Sequence, residues 1–395
     1  MRFIWLQILA LPLLAAPYTM GELMDHAVQN DASLKADREI LQQYFYQKES
    51  VKLWDNPELS LSYTNTKPEG IERKNEYGIA VIQSIQKPAL RSAKQRLLDA
   101  KILQLNALIS QKENEINGNV RQKTYLYTIA SMMSDKADET LSLASALRQK
   151  GEKKFQQGAI SKVDLLKLKV EEEKVAQEAK TALMKRDIAV QTLAASARLA
   201  TSVELTHPNL PQPLPNDFEI VLDTLPMLSY FKAANDEYRA EKEVAIESVI
   251  PGFKAGLGYQ EMYDQKALIA SVSIPIPILH RNEPLIKNAE SKLAENNLRE
   301  QAYRYETGQK IIRYQQMLRS LSMLMVSQQG VITQAKEMES MAQKSYDEGY
   351  GTLLELIDAR RVLLTNQKEL YTTLENYYDT LGEIQKIIPP IEETK

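Results

Sequence analysis

The side chains able to do chemistry gather in two short stretches of this chain. One is Tyr346-Asp-Glu-Gly349-Tyr-Gly-Thr352-Leu-Leu-Glu355-Leu-Ile-Asp358, and the other is Phe155-Gln-Gln-Gly158-Ala-Ile-Ser161-Lys-Val-Asp164-Leu-Leu. Glycine, hydroxyl and carboxylate recur in register at 158, 161 and 164 and at 349, 352 and 355, a constant offset of 191. Each stretch reads as the turn of a helical hairpin. The glycine can take the left-handed conformation that ends a helix. Ser161 or Thr352 can then cap the next helix, and Asp164 or Glu355, three residues on, completes a capping box. The carboxylates therefore have an ordinary structural use. Their recurrence on two matching arms adds a duplicated architecture to that reading.

Little else suggests catalysis. No glycine-rich phosphate loop follows a strand, no His/carboxylate spacing fits a metal, and no nucleophile elbow occurs. Cysteine is absent, which removes disulfides, thiolate ligands and cysteine nucleophiles. The histidines, His26, His207 and His280, stand far apart. Among the 13 methionines, Met132-Met133 and Met323 and Met325 fall in helical arms, where methionine serves as packing. With 49 basic and 52 acidic residues, no nucleic-acid surface is announced. The expectation is a protein that is not an enzyme, with no catalytic residue, metal or cofactor.

The elements that position the two motifs follow from the chain in order. Residues 1–16 read as a secretory signal peptide: Arg2, an apolar run from Phe3 to Leu14, then Ala15 and Ala16. Thr19-Met-Gly-Glu22 is a capping box opening one helix that should run to about Trp54, ahead of Asn56-Pro57. Leu59, Leu61 and Tyr63 then alternate with Ser60, Ser62 and Thr64, which predicts a strand with one apolar face, and a second strand spans about Tyr77 to Gln86. Residues 89 to 207 contain no proline and predict two helices meeting at Gly151 to Gly158. The first, Ala89 to Lys150, would be about 93 Å long at 1.5 Å per residue. An arm of that length needs neighbouring helices along it, so coiled-coil pairing is expected.

A proline-rich linker, 200–225, precedes a second pass through the same elements. A helix runs from about Met227 to Val249, strands cover Phe253 to Gln260 and Ala267 to Ile274, and residues 285–388 supply a long arm, the Gly349 turn and a return helix. Offsets support the repeat: Leu34 and Leu228, like Pro57 and Pro251, lie 194 apart; Ser84-Ile85, Pro88 and Leu90 match Ser273-Ile274, Pro277 and Leu279 at 189; Gly118 and Gly308 lie 190 apart. The expected organisation is a first repeat at 17–199, the linker, a second repeat at 226–388 and a tail at 389–395. The fold class is mainly α with a small β part.

Four strands of about ten residues suit a tilted bilayer crossing, but the smallest barrels have eight strands. An open sheet in lipid would leave unsatisfied edges, so closure calls for several copies of the chain. Tyr63, Tyr77, Tyr259, Tyr263 and Trp54 fall near strand ends, where an aromatic girdle or ordinary hairpin packing would use them.

The double unit, the Asn56-Pro57-Glu58-Leu59 start of the first strand and the two turn motifs resemble the TolC family of outer-membrane efflux channels. The resemblance implies a homotrimer with a 12-stranded β-barrel in the outer membrane and an α-helical periplasmic barrel. It implies a passive exit duct that meets a periplasmic adapter protein and, through it, an inner-membrane transporter of the RND or ABC type. In size and short termini the chain is similar to the branch serving drug and heavy-metal pumps. Carried onto this sequence, the adapter-docking tip falls on Gly158, Ala159, Ile160, Ser161, Gly349, Tyr350, Gly351 and Thr352. The acidic constriction falls on Glu355 and Asp358, three apart and so on one helix face. In a trimer these would stack as two acidic rings attractive to cations. Glu355 read alone remains a helix cap that complements the dipole. Asp164 and Tyr346 fall where relatives hold the tip closed. Glu355 stands in place of an aspartate, and Gly351 where some relatives carry a basic latch residue, which implies a more weakly held closed state. The lipid-bearing cysteine of many relatives has no counterpart here. A type I protein-secretion channel and a periplasmic coiled-coil scaffold or adapter are the alternatives.

Overall fold

The computed structural model describes residues 18–67, 74–200, 210–213, 222–262 and 265–388. The proposed signal peptide, Tyr263, His207, most of the proline-rich linker and the 389–395 tail lie outside the described residues. The elements are α1 (Met20–Asn30), α2 (Ala32–Lys52), β1 (Glu58–Thr66), β2 (Lys74–Gln86), α3 (Pro88–Gln156) and α4 (Lys162–Ser196), then α5 (Pro226–Glu247), β3 (Gly252–Met262), β4 (Gln265–Ser273), α6 (Glu283–Glu348) and α7 (Leu353–Ile387). The protein is mostly helical with one small antiparallel sheet. No described helix is long and apolar enough to cross a membrane.

The expected first helix is in fact two. The Thr19 capping box forms as read: the Glu22 amide donates to Thr19 Oγ1 at 3.2 Å, and the Thr19 amide donates to Glu22 Oε2 at 2.8 Å. The helix then breaks at Asp31, whose backbone is extended. Asp31 is buried and ion-paired with Arg198, 2.7 Å away. The expected meeting point at Gly151 also shifts. Gly151 lies inside α3, where a Cβ would fall 2.2 Å from a Leu168 methyl, so this glycine serves close helix packing. The turn itself begins after Gln156.

The described residues divide into two compact units, each discontinuous in sequence. The first takes residues 113–221 and 308–395 together with the N-terminal segment through Ala32. One of its cores joins Leu23 and Ala27 of α1 to Val120 and Tyr127 of α3 and to Leu193, Ala194 and Ala197 at the end of α4. In it α3 and α7 approach closely: a Cβ at Gly118 would lie 2.8 Å from the Gln385 carbonyl oxygen, and one at Gly382 would lie 2.4 Å from the Gln122 side chain.

The second unit takes residues 33–112 and 222–307 and contains the sheet. Its helices are tied by Lys48–Asp99, Lys292–Glu241 and Arg96–Glu243 ion pairs and by the buried Asn296, which donates to the Phe231 carbonyl at 2.9 Å. The sheet order is β1-β2-β3-β4, all antiparallel. Side chains opposite one another across a ladder share a face. One face carries Leu59, Val81, Leu257 and Ala270 in one row and Leu61, Ile79, Tyr259 and Leu268 in the next. The opposite face carries Ser60, Ala80, Gly258 and Ile269, then Ser62, Gly78, Gln260 and Ala267. Among the described residues nothing covers the apolar face: Leu61 is 73% exposed and Leu268 83%. Along β1 and β4 one backbone edge each lies outside the ladder pattern.

Candidate functional site

The two turn motifs fold as capped hairpins in the first unit. Gly158 has φ +71° and Gly349 φ +85°, the left-handed conformation that reverses a helix end. The Ala159 amide donates to the Lys154 carbonyl at 2.8 Å and the Tyr350 amide to the Ser345 carbonyl at 2.9 Å, the six-to-one bond of a Schellman closure. Each next helix is then capped. The Asp164 amide donates to Ser161 Oγ at 3.1 Å, and Ser161 Oγ donates to Asp164 Oδ2 at 2.7 Å. The Glu355 amide donates to Thr352 Oγ1 at 3.2 Å, and the Thr352 amide returns a bond to Glu355 Oε2 at 2.8 Å. These bonds and the Lys167 ammonium hold the Asp164 carboxyl below its ordinary pKa, with the Ser161 hydroxyl the main cause.

A core sits directly behind the turns. Leu147, Leu168, Tyr346, Leu353, Leu356 and Ile357 pack together, with Ile160 and Ala342 against them. All four helix ends thus meet on one apolar cluster. Tyr346, read from the sequence as a polar closure contact, lies inside that cluster. Its hydroxyl has no hydrogen-bond partner among the described residues, and burial raises its pKa. The Lys154 ammonium lies over its ring, 4.2 Å from the centroid. Asp164 bonds to its own helix, at Ser161 and Lys167.

Glu355 and Asp358 are both exposed on α7. They share a face, as their spacing implies, and their surroundings differ. Glu355 spends one oxygen on the cap. Asp358 lies 3.7 Å from the Arg361 guanidinium, one turn on, whose other nitrogen is 3.4 Å from Glu171 of α4. Tyr350, Thr352, Gly158 and Ala159 are exposed, and Ile160 and Gly351 are half-buried.

Sequence reasoning missed the bonds that join one hairpin to the other. Lys150 of α3 reaches Asp347 of α6 at 2.6 Å, and Gln343 donates to the other Asp347 oxygen at 2.8 Å. The Lys150 ammonium, then Gln343, hold the Asp347 carboxyl below its usual range. Within the second hairpin, Arg360 of α7 bonds Glu339 and Gln343 of α6. Only Asp358–Arg361 and Gln343–Asp347 carried a local signal, spacings of three and four; the other pairs join residues too distant in sequence to read. Among the described residues no cluster of three metal-binding side chains occurs.

No protein-family profile and no curated relative matches the chain. Solved structures do. The chain is similar to the CmeC outer-membrane channel of Campylobacter jejuni at 14% identity, covering 93% of this chain and 84% of that one, with a TM-score of 0.69. It is similar to the outer-membrane protein VceC of Vibrio cholerae at 15% identity, over 93% and 95% of the two chains, with a TM-score of 0.69. The open-state MtrE outer-membrane channel of Neisseria gonorrhoeae gives 14%, 93%, 88% and 0.67. At these identities the likeness is one of fold, and it extends over nearly the whole polypeptide.

Proposed function

We propose that this chain, which has the TolC-family fold, is the outer-membrane exit duct of a tripartite efflux system. It conducts passively, and an inner-membrane transporter of the RND or ABC type supplies the work through a periplasmic adapter. The observation that carries the reading is the sheet. An apolar face with Leu61 and Leu268 bare, on strands of 9, 13, 11 and 9 residues, has bilayer length and no cover among the described residues. Three copies of the duplicated unit would pair β4 of one with β1 of the next. That closes 12 strands and leaves no edge in lipid. A soluble scaffold has no use for such a face, which disfavours the adapter reading.

Under this reading the capped turns form the periplasmic tip. Residues 158–161 and 349–352 dock on the adapter, and Glu355 and Asp358 ring the constriction. Tyr346, packed among the helix ends, and Asp164, at the cap of α4, stand where the tip is held closed. The same geometry would serve polypeptide secretion, so the partner transporter decides the cargo.

Two measurements test the proposal. After an alkaline wash the protein stays with the outer-membrane fraction; release into the supernatant would refute the membrane placement. In planar bilayers the Glu355→Ala/Asp358→Ala variant conducts more than the parent and loses block by divalent cations. Unchanged conductance would refute the constriction assignment alone.

A further inference from the structure

The passage from β4 to α6 differs from its counterpart in the first half of the chain. There, β2 ends at Gln86 and α3 begins at Pro88. Here residues 274–282 intervene between Ser273 and Glu283. The two segments align in sequence, Leu90 with Leu279 at the offset of 189, yet Leu90 is 2% exposed and Leu279 95%. A leucine at the corresponding position has been moved from a core to the surface. Its neighbours follow: Ile274 is exposed, Ile276 is 76% exposed and Ile278 81%.

Three features of this strap point to one kind of surroundings. First, Leu268, Ala270, Val272, Ile274, Ile276 and Ile278 keep a period of two, so the apolar side of β4 continues in sequence beyond the last ladder pair. Second, the backbone is poor in free donors. Pro275 and Pro277 have no N–H, and the Ile278 amide donates to the Ile276 carbonyl at 2.9 Å. Three of four consecutive residues therefore offer no unbonded N–H, the condition for leaving a sheet inside an apolar medium. Third, the apolar run ends in exposed His280 and Arg281, after which Asn282 turns the chain at φ +59° into α6. Apolar residues followed at once by polar and cationic ones match the depth profile of a lipid interface.

We infer that residues 274–281 form an interfacial strap, with Ile276, Ile278 and Leu279 in the upper acyl region of a phospholipid leaflet and His280 and Arg281 at headgroup level. The inference rests on the outer-membrane reading above and adds a second lipid contact to it, outside the strand ladder. A second copy of this chain is the competing occupant. The donor-poor backbone and the cationic end favour lipid, since a protein neighbour could itself satisfy backbone donors.

The test uses the full chain reconstituted in phospholipid vesicles. Trp5 and Trp54 are its only tryptophans, so Trp5→Phe/Trp54→Phe provides a silent background. Into it go Leu279→Trp, Ile278→Trp or, as a reference on the sheet face, Leu268→Trp. At an insertion of ~5–10 Å, the tryptophan at 279 emits to the blue. It loses intensity to lipids brominated near the glycerol end of the acyl chain, and acrylamide quenches it weakly. Ile278→Trp gives the same result if one substitution disturbs the strap. Strong acrylamide quenching without lipid quenching would place the strap in water. Resistance to both quenchers would place it against another copy. Either outcome overturns the inference while leaving Leu268→Trp quenched by lipid. Loss of lipid quenching at Leu268→Trp as well would overturn the membrane reading itself.

Discussion

Gly349 isolates a single energetic effect, which makes Gly349→Ala the most informative substitution. Its φ is +85°, and a Cβ built there meets no atom within 4 Å. The cost is therefore purely conformational, about 1–2 kcal/mol for an L-residue in the left-handed region. Alanine also narrows the unfolded ensemble, which returns about 0.4–1 kcal/mol. The net destabilisation expected is ~0–1.6 kcal/mol. For a chain of this size that corresponds to a fall of a few degrees at most in the helical melting transition, on the order of 2 °C per kcal/mol. Circular dichroism of the detergent-solubilised assembly reads it, with Gly349→Asn as the control. Asparagine tolerates the left-handed conformation and should recover part of the loss. A clear gain in stability for alanine would mean that the turn does not hold this conformation in the assembly. A loss above ~3 kcal/mol, beyond what backbone strain supplies, would mean that another chain packs on the exposed side of Gly349. Gly158→Ala, at φ +71° with equally open space, should behave alike.

Other perturbations separate packing from charge. Leu356→Ala removes a fully buried side chain from the cluster behind the turns and should cost about 2–5 kcal/mol, seen as a lower melting temperature and faster hydrogen exchange at residues 353–357. Gly118→Ala drives a Cβ to 2.8 Å from the Gln385 carbonyl, so it should cost ~1–3 kcal/mol by overpacking, whereas Gly330→Ala, with nothing within 4 Å, should be neutral or stabilising. The Lys150–Asp347 pair is roughly half exposed, so a double-mutant cycle with Lys150→Met and Asp347→Asn should give no more than ~1 kcal/mol. Because the folded Asp347 pKa is depressed, that coupling is fully present above the ordinary aspartate range and is lost as pH falls through the folded value. The coupling should be the same at pH 7 and pH 5; its disappearance by pH 5 would contradict the assignment.

The fold was legible where local chemistry alone decides it. Pro57, Pro88 and Pro251 mark the starts of β1, α3 and β3, which the structure places at Glu58, Pro88 and Gly252. The Thr352–Glu355 reciprocal cap formed as its spacing implied, since both partners sit within one turn. What the sequence hid was decided by distant partners. The buried Asp31 at the break pairs with Arg198, 167 residues away, and the apolar spacing of Leu23, Ala27 and Leu34 runs through it without a sign. Gly151 reads locally as a breaker, but its use is set by Leu168 on the facing helix. Tyr346 reads as a polar contact by position, while its burial follows from the apolar cluster that four helix ends build around it.

The two turns also show why a carboxylate can be read in two ways without contradiction. Glu355 caps α7 through one oxygen, and that bond fixes its side chain at the first turn of the helix. Asp358, one turn later, is free of the cap and is instead shared with Arg361, whose guanidinium also reaches Glu171. Replacing Glu355 therefore removes charge and loosens the helix start together. Replacing Asp358 removes charge and leaves the cap whole. If the acidic face governs ion passage, Asp358→Asn should change conductance at unchanged helical stability. Glu355→Gln should change both, since the amide keeps the acceptor oxygen but binds the Thr352 amide more weakly without the charge. Charge and scaffold are thus separable at 358 and coupled at 355. Asp358 is where a constriction role can be judged on conductance alone.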